Sequence, residues 1–175
     1  MPPTGSNSRP SSRGFARAPS RGGEPSLARQ RRVSGKPAVP RRAIAEGELR
    51  VRRTTLARIR ARRVAKGDPV AAGELAGLLA MKRTAELIPH CHIVPLTASR
   101  VEITVRRDRV GVLAEAETIG RTGVEMEALV GASIALLTVW DMVKYLEKDG
   151  RGLYPETALG PVRVRIKEKG ALRGR

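Results

Sequence analysis

A chain of 175 residues with 41% hydrophobic content suffices for one domain with one core, and its single cysteine, Cys91, excludes an internal disulfide and any all-cysteine zinc site. The formal charge of +17 suggests nucleic acid, but residues 1–65 carry +14 of it, and the aromatic stacking platforms used by single-strand binders are scarce: Phe15, Trp140, Tyr145 and Tyr154. Specific nucleic-acid recognition is therefore not expected. No uninterrupted apolar run approaches the 18 or so residues of a membrane span, so no membrane role is expected and a reduced cytoplasm fits best.

Residues 1–42 are rich in Arg, Pro and Ser and are read as a disordered tail, with one folded domain expected over residues 43–175. The regular pattern begins near Glu48. A short strand is expected at Leu49–Arg52, followed by a helix carrying Leu56, Ile59 and Val64. Lys66-Gly67-Asp68-Pro69 breaks that helix and starts another, because Asp68 can cap free amides and Pro69 suits the first helical position. The second helix should continue to about Leu87. An extended, proline-punctuated connection is expected over Ile88–Ile93, with His90 and His92 on one side and Cys91 on the other.

Val101, Ile103 and Val105 alternate with polar residues, as do Val110, Val112, Ala114 and Ala116, which predicts a β-hairpin around Arg107-Asp108-Arg109. Val124 to about Glu147 reads as one long apolar helix, and the alternation at Val162, Val164 and Ile166 as a last strand. The order is the ferredoxin-like βαββαβ pattern with one extra helix in the first crossover: an α+β class, with helices on one face of an antiparallel sheet.

Charged groups on the oily long helix need a reason. Glu125 and Glu127 occupy its first turn and can simply answer the helix dipole, while Asp141 and Lys144 can simply pair on the surface. Both pairs together, flanked by Val139, Trp140, Met142 and Val143, point instead to a solvated pocket. His90 and His92 alone do not make a metal site, so no metal is expected.

Lys82-Arg83-Thr84, Leu87-Ile88-Pro89-His90-Cys91-His92, Thr122-Gly123-Val124-Glu125-Met126-Glu127-Ala128-Leu129 and Leu137-Thr138-Val139-Trp140-Asp141-Met142-Val143-Lys144 together resemble the MoaC-type cyclic pyranopterin monophosphate synthases of molybdenum cofactor biosynthesis, over about Leu49 to Lys167. The resemblance implies a phosphorus–oxygen lyase that needs no cofactor. Its reaction rearranges 3′,8-cyclo-7,8-dihydro-GTP into cyclic pyranopterin monophosphate, with pyrophosphate released. It implies catalytic roles for Lys66, Asp141 and Lys144, and substrate contacts for His90, Cys91, His92, Glu125, Met126, Glu127 and Lys167. It also implies a homohexamer, a trimer of dimers with sites at subunit interfaces. The family's opening His-Met-Val-Asp segment is absent, and its C-terminal lysine signature survives only as Lys167-Glu168-Lys169-Gly170, where Glu168 is expected to set a negative charge among the phosphate contacts. Those departures keep a second reading open, a non-catalytic paralogue that binds a nucleotide or pterin.

One expectation is independent of the family. Glu127 and Asp141 stand 14 residues apart on one helix, on the order of 21 Å along the axis at 1.5 Å per residue. A small substrate touching both requires two copies of the chain.

Overall fold

The computed structural model describes residues 30–170. Its elements are β1 (Val39–Arg50), α1 (Arg53–Arg60), α2 (Pro69–Lys82), α3 (Thr84–Leu87), β2 (Ala98–Val105), β3 (Val110–Gly120), α4 (Glu125–Glu147), β4 (Ala158–Leu159) and β5 (Arg163–Lys169). The sheet runs β2-β3-β1, with β4 and β5 both pairing antiparallel to the free edge of β1. This is the expected ferredoxin-like α+β arrangement, with the added helix in the first crossover.

Several details differ from expectation. The first helix ends at Arg60, so Val64, expected within it, lies in the connection that follows. The first strand is not a short piece at Leu49–Arg52 but spans Val39–Arg50 in register with β3 from Val39↔Gly120 to Leu49↔Val110. Residues 39–42, expected in the tail, are thus part of the sheet; most of that tail, residues 1–29, lies outside the described residues. The second helix ends at Lys82 rather than Leu87, and α3 follows as a separate turn about Thr84, whose buried hydroxyl donates to the Met81 carbonyl at 3.0 Å. The loop after α4 contains β4, two residues that extend the ladder at Leu49 and Arg50. By length and mean hydropathy α4 does reach what a membrane crossing needs. Here it is the core helix, with Ala128, Ala132, Ala135, Leu136, Val139 and Val143 buried against the sheet.

Small residues decide how closely the layers approach. Ala43 and Ala45 on β1 and Ala114 and Ala116 on β3 are fully buried and leave room for the alanine face of α4. Gly77 of α2 and Gly131 of α4 do the same between helices: a Cβ on Gly77 would lie 2.9 Å from the Gly131 carbonyl oxygen, and one on Gly131 would lie 2.5 Å from Met81 Cγ. At Gly77 the neighbour is backbone, which cannot accept a methyl group without moving, and at Gly131 it is the Met81 side chain, which would have to repack.

Among the described residues the other face of the sheet carries no helix and is largely polar. Arg42 pairs with Glu115 at 2.5 Å and reaches Glu117 and Glu168, while Arg163 and Arg165 pair with Glu46, and Arg109 with Glu48. Strand alternation sets these charges opposite the alanine core.

Candidate active site

Lys66 and Asp141 are 75 residues apart in the chain and 3.0 Å apart in the fold. Asp68 caps α2 by accepting from the Val70 amide at 2.9 Å and the Ala71 amide at 3.2 Å, as its position before Pro69 predicts. Gly67, at φ +103°, makes the left-handed step into that cap. The Lys66 side chain then reaches across to α4, where its Nζ donates to both the Asp141 carboxylate and the Asp141 carbonyl, each at 3.0 Å. The Tyr145 hydroxyl accepts from the Ala65 amide at 2.8 Å and fixes the same loop from its other side.

Lys144, one turn along α4, lies 2.6 Å from the second Asp141 oxygen. Asp141 thus stands between two ammonium groups. The hydrogen bond from Lys144, and then that from Lys66, holds its carboxyl below the usual range, and the same bond raises the Lys144 pKa. All three side chains remain about half exposed. The three predicted catalytic residues are therefore assembled as one charged cluster at the C-terminal end of an apolar helix, open to a ligand. They line none of four clefts of roughly 400 to 570 Å³ found among the described residues.

The predicted binding residues gather at the other end of α4, divided between two clefts. One, of about 550 Å³, is lined by Cys91, His92 and Glu127 together with Lys82, Arg83 and Gln30. Glu127 is almost fully buried; burial, reinforced by the neighbouring Glu125, raises its pKa. Burial, with Glu127 nearby, also raises that of the Cys91 thiol. The His90–His92 segment is not extended: the Cys91 amide donates to the Ile88 carbonyl at 2.9 Å and closes a turn. Because of that turn Cys91 and His92 line the cleft, whereas His90 is exposed and does not. Met126 projects from the helix surface, also outside the clefts.

The second cleft, about 430 Å³, holds Glu125 and Lys167, which form an ion pair, with Lys36, Arg41, Arg121 and Lys169 around them. Burial is the largest influence on Glu125 and alone would raise its pKa, but the hydrogen bond from Lys167, a backbone hydrogen bond and the nearby charges of Lys167 and Arg41 together outweigh it, and the net shift is downward. The expectation for Glu168 is corrected here. Alternation along β5 turns it to the opposite face, where it pairs with Arg42 at 3.3 Å, away from Lys167 and Lys169.

Three contributors had no sequence signal. Gln30 donates to the Cys91 carbonyl at 2.7 Å and the Arg31 carbonyl lies 2.8 Å from His92 Nε2, so the segment before β1 braces the 90–92 turn. The fully buried Glu147 accepts from the Arg52 amide at 3.2 Å and the Thr157 hydroxyl at 2.6 Å, and so anchors the end of α4 that carries Asp141 and Lys144. No group of three or more potential metal ligands occurs among the described residues.

The model of the MoaC family matches residues 31–170. The chain is 48% identical over 138 residues to a probable cyclic pyranopterin monophosphate synthase of Archaeoglobus fulgidus, covering 79% of this chain and 88% of that protein. It is also 48% identical to a probable synthase of Sulfolobus acidocaldarius, over 78% of this chain and 96% of the relative. The same identity holds for a probable cyclic pyranopterin monophosphate synthase accessory protein of Methanothermobacter thermautotrophicus, over 78% and 86%.

Proposed function

Since the chain belongs to the MoaC family, we propose that it serves molybdenum cofactor biosynthesis as a cyclic pyranopterin monophosphate synthase, a lyase that converts 3′,8-cyclo-7,8-dihydro-GTP to cyclic pyranopterin monophosphate and pyrophosphate. The observation that carries the reading is the Lys66–Asp141–Lys144 cluster. Opening a purine-derived ring requires positioned proton donors and acceptors, and expelling pyrophosphate requires cations on the departing charge. Asp141, kept ionised by its two neighbours, is the acceptor. Lys144, kept protonated by Asp141, is a donor and a phosphate counter-charge, and Lys66 completes the cation pair. The clefts holding His92, Cys91 and Glu127, and Lys167 and Glu125, bind the remainder of the substrate, with His90 and Met126 at their margins.

The working unit is an oligomer, a hexamer built from dimers, in the cytoplasm. Two features support a site shared between two copies. The catalytic cluster and the Glu127 cleft lie at opposite ends of a 23-residue helix. Between them the outer helix layer is apolar, with Leu75 and Leu79 of α2 and Leu137 of α4 exposed at 60%, 49% and 43%. A second copy covering that layer with α4 antiparallel would bring its Glu127 to the Asp141 of the first and complete two sites at once.

The test is turnover of enzymatically generated substrate, followed by pyrophosphate and the oxidised pterin, with Asp141→Asn as control. Product lost in the control is expected; substrate binding without product would favour the non-catalytic reading. Mixing Asp141→Asn chains with Glu127→Gln chains tests the shared site. Each mixed dimer keeps one intact site of two, so equimolar reassortment should restore roughly a quarter of wild-type turnover, whereas a site contained in one chain would restore none.

A further inference from the structure

Residues 50–67 contain seven arginines and Lys66 but no acidic residue. In α1, Thr55, Leu56 and Ile59 are buried, which turns Arg53, Arg58 and Arg60 outward. The following turn passes through Arg62 at φ +54° and buries Val64, leaving Arg62 and Arg63 exposed. The β2–β3 turn adds Arg106 and Arg107, also exposed, and is tied to α1 where Arg60 Nη1 donates to the Arg106 carbonyl at 2.8 Å. Among the described residues none of the side chains of Arg53, Arg58, Arg60, Arg62, Arg63, Arg106 and Arg107 takes part in an ion pair, whereas Arg42, Arg163 and Arg165 on the sheet and Arg109 in the turn each reach a glutamate.

Like charges crowded within the roughly 10 Å screening length of 0.1 M salt repel one another. The cluster contributes no pairing to the fold, and its positive field is left for something outside the chain. Its location indicates what. The surface runs along α1 and through Arg62 and Arg63 to Lys66, three residues on, which touches Asp141. No aromatic residue occurs in 50–67 or 106–109, so bases find no platform and the recognisable feature is phosphate.

We propose that the arginine surface of α1 and the β2–β3 turn is a collecting surface for the substrate's phosphate chain, which raises its local concentration and delivers it to the Lys66 end of the site. The inference rests on the synthase reading, since a triphosphate-bearing substrate gives the surface its ligand. Steering of this kind raises association rates between about 10- and 1,000-fold and fades with salt.

The experiment compares kcat and KM of the full chain with those of R58E/R63E/R107E and of R58K/R63K/R107K at low and high ionic strength. These positions lie outside the catalytic cluster. At low salt the glutamate variant is expected to lose about tenfold in kcat/KM with kcat unchanged. The loss should vanish at high salt, and the lysine variant should match wild type. Equal kcat/KM at low salt, or a loss confined to kcat, would overturn the proposal. A second arm measures binding of inorganic tripolyphosphate and of duplex DNA to the same proteins by calorimetry. Weaker tripolyphosphate binding by the glutamate variant is expected. DNA binding lost in that variant while kcat/KM stays at the wild-type value would assign the surface to nucleic acid and overturn the proposal. Should the wild type show no turnover, the synthase reading fails, and the tripolyphosphate arm decides separately whether the surface collects phosphate.

Discussion

The two ends of α4 hold acidic residues in opposite electrostatic situations. At the N-terminal end Glu127 is buried and its carboxyl is pushed toward the neutral form. At the C-terminal end Asp141 is half exposed and gripped by two lysines, and its carboxyl is pushed toward the charged form. Burial disfavours charge and nearby cations favour it, so one helix supplies two carboxyls suited to different tasks. The open, paired end is suited to chemistry on a charged ligand, and the buried end to recognising and orienting one.

Removing the charge at the paired end should have the largest effect of any change described here. Asp141→Asn and Lys144→Ala are each expected to lower kcat by at least about 100-fold, with an unchanged unfolding midpoint, because neither side chain fills core volume. A steady-state assay beside a thermal melt checks both halves. Loss of activity accompanied by a large fall in Tm would mean that the cluster holds the fold rather than performs the reaction.

How much of this was legible in the sequence follows from the range of the interactions. The span of α4 could be read from a long, largely apolar stretch, and the hairpin from alternation at Val101–Val105 and Val110–Ala116, because both patterns are local. The start of β1 could not. Arg41, Arg42, Glu46 and Glu48 give it the look of a solvated segment; the partners of the last three are Glu115, Glu117, Glu168 and Arg163 on other strands and Arg109 in the β2–β3 turn. The same limit applied to the site. Asp68 and Pro69 announced a helix start, yet nothing near Lys66 shows that it meets Asp141. The opposite facing of Glu168 and Lys167 was available from strand periodicity alone; what the sequence lacked was assurance that the strand extends to Lys169. Gln30 and Arg31 act through one side-chain amide and one backbone carbonyl, and such contacts leave no residue pattern.

Between the two ends, the contact of α2 with α4 keeps them in register with the Lys66 loop. Gly77→Ala would force a methyl group to within 2.9 Å of the Gly131 carbonyl oxygen. The expected cost is about 1–3 kcal/mol, read from denaturant unfolding. Because α2 begins immediately after Lys66-Gly67-Asp68, its displacement should also lower kcat more than it weakens substrate binding. Equal stability with full activity would show that the helices have slack at this crossing.

The smallest effect expected is on the pH dependence of stability, and it distinguishes the two carboxyls by sign. The folded pKa of Glu127 is raised above the ordinary 4.5, so the native state holds its proton over a window beginning near that value and extending upward. The stability gained is full below the window and is lost as pH rises through the folded pKa. Asp141 is the reverse case: its folded pKa lies below the ordinary 3.8, and its contribution, present above that value, is lost as pH falls through the folded pKa. Glu127→Gln should therefore gain stability relative to wild type as pH rises from about 4.5, whereas Asp141→Asn should change the profile only in acid and slightly, its side chain being solvated. Melting curves of the two variants against wild type from pH 3 to 8 provide the check. Parallel profiles for Glu127→Gln and wild type above pH 4.5 would remove burial as the feature that separates one end of the helix from the other.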